Sequence, residues 1–464
     1  MGLSAFHSLN TAARGLEAAR AQIAITAQNT ANAGTVGYTR QSAQLQALPG
    51  LHSNGLFPNA TGAGQGVEVA GIGRSASELV NRQVRGAVAQ TGFQQIRAET
   101  YSGIEDVLRE PGDHSVSSAV TAYHSAWQDV ANNPGDIGAG TALLEAASSL
   151  AGRLGADVQE LKDQYAAQGN ELRAEVDQVN ALAGQLAVVN GAIRSTGAAG
   201  GSTNELLDSR DQIAEQLSAL TGGQLRPAAD GTGEFLVGGN ALVSGESHHT
   251  LTAVVGSAPG EPTTVAWTHR LGTGTPASAG VDGGSLAGRL SVLSADGPLA
   301  NAMQGYDDLA GSIAEGTNTV HQSGFTGSGA PGGAFFTFTG TADSLTVAIT
   351  DPAQIAHAGA GQGALDGSIA DAIGDLGAAV TSGWTGFVSG VGASSRGALN
   401  GLSLSVGTES SARSSQQSLA SVDRDEEAVN LVTFQHAYQA SARVLTAVDE
   451  MLDTLINRVG LVGR

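Results

Sequence analysis

Ten histidines, 43 carboxylates and 66 glycines are the residues from which this chain could build chemistry. The only adjacent histidines are His248 and His249, in a Ser/Thr-rich stretch. A zinc site of the H-E-x-x-H kind needs its ligands one helical turn apart with a glutamate between, and no such spacing occurs. Two neighbouring histidines in a polar loop are expected to be solvated. Cysteine is absent, which removes thiolate nucleophiles, disulfides and cysteine metal sites. The glycines of Gly62–Gly66 lack both the G-x-G-x-x-G spacing and the lysine of a phosphate loop, so they read as turns. No G-x-S-x-G elbow is present. Asp423, Asp425, Glu426 and Glu427 could gather a cation. The Asp423-to-Glu426 spacing also fits a capping box at a helix start, where the dipole favours negative charge. Asp208, Arg210 and Asp211 are charged neighbours expected to pair with one another on a helix. No catalytic, cofactor-binding or metal-ligating set emerges, and an enzyme is not expected.

The pattern that does recur suits packing. The net charge of −21 repels phosphate backbones, so a nucleic-acid partner is not expected. No apolar run approaches the length that crosses a membrane, and membrane insertion is not expected. Met1–Asn10 has no basic n-region, and Phe6 stands where a myristoylation signal needs Ser or Thr. The chain therefore reads as cytosolic or as exported by a route without a cleaved signal.

The elements that would position these residues are mainly helical, with β-rich insertions. Helices are expected over about 4–31, 75–109, 116–133, 141–195, 204–220, 299–322, from about 366 to 391, and through the last 58 residues from Gly407. Between 224 and 297 Gly and Thr rise and short apolar strands appear at 234–237, 250–255 and 263–268. Residues 323–350 again read as β. Three units follow: 1–50 with 407–464 as a terminal coiled coil, 51–223 with 298–406 as an α-rich middle, and 224–297 as a small β-rich subdomain.

Both ends carry heptad seams. Leu9, Ala12, Leu16, Ala19, Ile23 and Thr26 alternate at spacings of three and four. At the other end Leu431, Phe434, Tyr438, Ser441, Leu445, Val448, Leu452, Leu455, Val459 and Val462 do the same. Isolated helices are marginal in water, so each seam needs a partner. The two ends are the economical pair. Ala437, Val444, Met451 and Ile456 would remain on other faces of that pair, which invites further copies of the chain.

Gln28–Gln41 reads QNTANAGTVGYTRQ. This resembles the Asn-rich signature that follows the first helix in the axial proteins of the bacterial flagellum. Asn29, Asn32, Thr35, Gly37 and Tyr38 match; Gly34 replaces an Asn and Val36 a frequent Pro. Asn and Gly suit the left-handed positions that end a helix. Asp425–Asn457 is similar, nearly position for position, to the C-terminal helix of hook-associated members of that family, whereas Val422–Arg424 departs from it. Asn204–Leu220, Phe335–Phe336 and Ile349–Ala356 resemble further segments of those members. Longer members insert an outer β-domain near 337–348; only about a dozen residues stand there in this chain, so that domain is expected to be absent or vestigial.

The resemblance implies a structural subunit joining hook to filament, with the terminal helices paired into an inner tube and the middle forming the outer wall. Its implied partners are further copies of itself in a helical layer, the hook protein, the second hook-associated protein, and an export chaperone on the C-terminal helix. No cofactor is implied. The implied assembly interface comprises Leu9, Leu16, Ile23, Asn29, Asn32, Gly37 and Tyr38 with Leu431, Phe434, Tyr438, Leu445, Val448, Leu452 and Leu455. Arg40 and Arg443 are further candidates for contacts with neighbouring subunits. Another axial protein, a surface-binding module built on 224–297, and an enzyme carried on the flagellum are the competing readings.

Overall fold

The structure, a computed structural model, describes residues 2–49, 64–268 and 276–457. Within these, the side chains of 2–5 and 455–457 are not described, so Gly62, the side chains of Leu455 and Ile456, and Val459 and Val462 lie outside the described residues.

The chain opens with helix α1 (Gly2–Asn32) and a hairpin of β1 (Gln41–Ala47) and β2 (Val67–Arg74), antiparallel with Gln41 opposite Arg74. Four helices follow: α2 (Glu78–Leu108), α3 (Val116–Asn132), α4 (Ile137–Ala198) and α5 (Asn204–Thr221). The Asp136 side chain caps α4 by accepting from Ala139 N–H. At about 1.5 Å per residue, the 62 residues of α4 span roughly 93 Å. Its apolar residues fall on one stripe, and Leu143, Leu150, Leu154, Leu161, Leu172 and Leu186 are fully buried. This helix is the spine of the molecule: α3, α5, the later helix 298–322 and the small sheets other than the β1–β2 hairpin pack along it.

Strands β3 (Gln224–Pro227), β4 (Gly233–Val237), β5 (Asn240–Ser244) and β6 (Ser247–His248) form an antiparallel meander. Strands β7 (Leu251–Val254) and β8 (Thr264–Trp267) make a separate hairpin against α4. The β reading to residue 297 ends too late, because α6 (Gly284–Val292) intervenes. That helix is short and opened by glycines, which hid it; Leu286 and Val292 anchor it in the core.

Helix α7 (Pro298–Gln322) is followed by a crossing segment, 323–376. The sequence suggested strands here. Only the two-residue β9 (Phe336–Thr337) and β10 (Thr346–Val347), a pair of 3₁₀ turns and the short α8 (Ser368–Asp375) form. The segment is held by side chains in place of a ladder. Phe335 and Phe336 are buried against Tyr123 and Trp127 of α3, and Asn318 Oδ1 accepts both of their backbone N–H groups at 2.7 and 2.9 Å.

Helix α9 (Gly377–Ala420) runs well past the expected end at 391, and α10 (Arg424–Asn457) begins after a three-residue break. Residue 407, the expected start of the terminal unit, falls inside α9. That helix packs antiparallel on α2: Gln416 donates to Asn81 Oδ1, Ser395 to Glu105, and Trp384 Nε1 to Glu110. Its partner α10 packs instead on α1.

Candidate assembly interface

The pairing of α1 with α10 is antiparallel, fixed by two close approaches. A Cβ at Gly15 would stand 3.1 Å from Ser441 Oγ, and one at Gly34 3.9 Å from Arg424 Nη2. The small residue and the one polar seam member thus meet, and the backbones draw together there. Along the seam Val448 is buried, while Leu9, Leu16, Ile23, Leu431, Phe434, Leu445 and Leu452 are half-buried. Tyr438 is exposed at 37 %. Leu455 lies in α10 by its backbone. Two helices alone do not close this seam. Val429, Val432, Val444 and Met451 of α10 and Phe6 of α1 face solvent outright.

The Asn-rich turn fixes where this pair meets the body. Asn29 is buried at 1 % exposure and uses both the nitrogen and the oxygen of its amide. Its Nδ2 donates to Gln41 O at 2.9 Å, while Oδ1 accepts from Gln41 N–H at 3.0 Å and from the Tyr38 hydroxyl at 2.8 Å. The end of α1 is thereby stapled to the start of β1. Asn32, half-buried, donates to Gln28 O at 3.1 Å and accepts from Thr35 Oγ1 at 3.3 Å, closing the turn. Gly37 is exposed with φ of 82°, a left-handed position that a Cβ would strain, and a side chain there would also press on Gln212.

From this turn, successive residues reach four other parts of the chain. Thr39 N–H donates to Asp208 Oδ2 of α5 at 3.1 Å. Arg40 N–H donates to Ala420 O, the last residue of α9, at 2.9 Å, and Arg40 O accepts from Ser75 N–H just before α2 at 2.8 Å. The Arg40 guanidinium pairs with Glu427 at 2.7 Å and Glu426 at 3.1 Å at the start of α10. Arg40, a candidate for contacts between subunits, is therefore engaged within its own chain. Arg443 remains exposed. Asp423 Oδ1 caps α10 by accepting from Asp425 and Glu426 N–H, so the acidic cluster is a helix start whose third-position glutamate turns to Arg40.

The charges beneath the turn are all paired. Arg74 Nη2 lies 2.6 Å from Asp208 and 2.9 Å from Asp211, and Arg210 lies 2.6 Å from Asp211. Burial raises the pKa of Asp208, against the pull of Thr39 and Arg74. The Tyr38 phenol is pushed up to about 12, first by burial and then by the carboxylates of Glu205, Asp208 and Glu427. Burial works against the Arg40 cation, but Glu427 and Glu426 outweigh it and its pKa rises. A cavity of about 590 Å³ opens beside the turn, lined by Tyr38, Arg74, Arg85, Asp208, Glu215 and Arg413 among others. Its arginines are neutralised in place: Arg85 by Glu78, and Arg413 by Glu215 and Glu409. Among the described residues no cluster of three or more His, Asp or Glu could hold a metal, and none of their helices is long and apolar enough to cross a membrane.

Sequence reasoning found the turn but missed Arg74, Thr39 and the α5 carboxylates as its base. The signal available was Asp208-x-x-Asp211 on a helix, which left its partner far away in the chain unspecified.

The geometry defines a class: a chain whose two ends return as one helix pair, clamped to a helical body, with apolar faces left for other copies. Residues 101–336 match the family described as the flagellar hook-associated protein FlgK helical domain, and residues 417–458 match the C-terminal segment of flagellar basal body rod FlgEFG proteins. The chain is similar to flagellar hook-associated protein 1 of Bacillus subtilis strain 168, with 28% identity covering 99% of this chain and 100% of that one. To flagellar hook-associated protein 1 of Escherichia coli K12 it is 32% identical over 71% of this chain, and it spans 59% of that relative's length. In fold it is similar to the solved structure of the flagellar hook junction protein FlgK from Burkholderia pseudomallei, with a TM-score of 0.63 and 16% identity, covering 74% of this chain and 100% of that one. The chain belongs to the flagellar hook-associated FlgK family.

Proposed function

We propose that this protein is a structural subunit of the bacterial flagellum, joining hook to filament. The observation that carries this reading is the α1–α10 pair, which is clamped to the body at one end yet leaves Val429, Val432, Val444 and Met451 uncovered. A surface of that kind is satisfied by copies of the same chain. Contacts made head to tail give an open helical layer and not a closed dimer. In this reading Leu9, Leu16, Ile23, Leu431, Phe434, Tyr438, Leu445, Val448, Leu452 and Leu455 line the packed inner tube. Asn29, Asn32, Gly37 and Tyr38 set its angle to the outer wall. The hook protein lies on one side of the layer and the second hook-associated protein on the other. The chain leaves the cell without a cleaved signal, with an export chaperone on α10. Its role is mechanical and not catalytic.

The test is a Val432→Asp/Val444→Asp double variant of the full chain, expressed in the host bacterium in place of the native protein. Both residues are solvent-exposed, so the purified variant should keep its helix content. Cells should then build hooks without attached filaments. Normal filaments and motility would refute the interface.

A further inference from the structure

The segment 323–376 crosses the bundle from α7 to α9 with little ladder of its own. Buried imidazoles fasten it. His321, at the end of α7, is wholly buried. Its Nε2 accepts the Ala356 N–H at 2.9 Å, so the ring proton sits on Nδ1 and is donated to Gly333 O at 2.8 Å. One neutral tautomer therefore ties two points of the segment, 23 residues apart, to α7. His124 of α3 is also buried and hydrogen-bonds Ile373 O through Nδ1 at 3.1 Å. Its Nε2 is buried with no hydrogen-bond partner among the described residues. Beneath the segment lie Trp127 and Tyr123, packed on Phe335 and Phe336.

We propose that this segment is a proton-released strap: protonation of His321 and His124 breaks its hold on α7 and α3 and uncovers the aromatic floor beneath it. A proton on His321 Nε2 would set a second donor against the Ala356 N–H. A proton on His124 Nε2 would place an unpaired charge among buried side chains. Burial lowers the pKa of both rings below the ordinary 6.5, and only a backbone carbonyl opposes it in each case, that of Gly333 for His321 and of Ile373 for His124. No charged side chain acts on either ring. Of the five carboxylates in the strap (Asp343, Asp351, Asp366, Asp371 and Asp375), Asp366 faces a third buried imidazole, His357, whose Nδ1 hydrogen-bonds Asp366 O at 2.8 Å. The α7 C-terminus favours a His321 cation by only a few-fold. The open strap therefore takes up protons before the closed one. Closure is at full strength above about pH 6.5 and weakens as the pH falls, by up to about tenfold in the opening constant per pH unit for each ring.

The experiment is hydrogen–deuterium exchange on the full chain at pH 7.5 and 5.5, with rates corrected for intrinsic exchange. Protection in peptides from 325–358 should fall roughly ten- to hundredfold at pH 5.5, while α4 peptides hold theirs. Glutamine keeps a donor and an acceptor but does not titrate, so His321→Gln and His124→Gln should each remove about a tenfold share of that pH dependence. Unchanged strap protection between the two pH values overturns the proposal, as does an undiminished pH dependence in both variants. Should a variant fail to fold, imidazole NMR titration of the wild-type chain decides: both rings are expected to stay neutral below pH 6.5, and either ring protonating at or above 6.5 overturns it.

Discussion

Asn29→Ala should cut the staple between α1 and β1. The lost side chain serves three partners. The N–H and C=O of Gln41 lie in a residue that is itself only 5% exposed, whereas the Tyr38 hydroxyl is half-buried and can regain water. Leaving a buried polar group unmatched costs about 1–3 kcal/mol, so the two backbone groups together suggest about 2–4 kcal/mol. Expressed as local opening, that is about a 30- to 1,000-fold loss of amide protection. The readout should be hydrogen exchange in peptides over 39–47 and not a melting temperature, because a chain of this size need not unfold in one step. Peptides from α4, which touches none of these groups, serve as the internal control. Asn29→Asp should fall between wild type and alanine: it keeps the acceptor for Gln41 N–H and Tyr38 but turns an oxygen toward Gln41 O. A loss smaller than threefold in Asn29→Ala would show that the turn is held by other contacts, and the clamp would then not depend on this amide.

Arg40→Met should strand Glu427, whose side chain is 2% exposed, without its cation. Breaking a buried pair typically costs about 3–5 kcal/mol; with the Arg40 side chain at 27% exposure, about 2 kcal/mol is expected. A double-mutant cycle with Glu427→Gln, read by exchange in the first turns of α10, should show at least about 1 kcal/mol of coupling, and additive effects would refute the pair. On α9, a Cβ at Gly386 or Gly390 would meet no atom within 4 Å. Alanine at each should therefore raise the denaturant midpoint, worth about 0.5–1 kcal/mol of helix propensity per site, and a lowered midpoint would mean that this face is packed in the isolated chain.

The long helices were legible because their apolar residues repeat at helical spacing over many turns. Leu172, Val179, Leu182, Leu186, Val189 and Ile193 form such a run, and all are buried except the half-buried Val189. The terminal pairing was legible for the same reason. Helix α9 was under-read between 392 and 406 because Gly392, Gly397 and Gly401 lower its intrinsic propensity, whereas its contacts with α2 through Ser395 and Gln416 sustain it. The strands expected in 323–350 failed for the opposite reason. The apolar run around Phe335 is satisfied by burial against α3, which leaves no need for a ladder. Within the site, Asn29 and Tyr38 announced themselves by motif, but the Arg74 bridge to Asp208 and Asp211 joins residues more than 130 positions apart, a distance over which periodicity carries no information.

The three-residue joint at 421–423 sets how the molecule carries force. A thrust along α1 and α10 arrives beside Ser75 and Ala420, at one shared end of α2 and α9. On either side of that point two full helices resist flexure. At the joint itself the stiffness rests on the Asn29 staple to the hairpin strand, the Thr39–Asp208 bond, one arginine and a capping aspartate. Flexure should therefore concentrate there, which gives a rigid tip and a rigid shaft with a single place to bend.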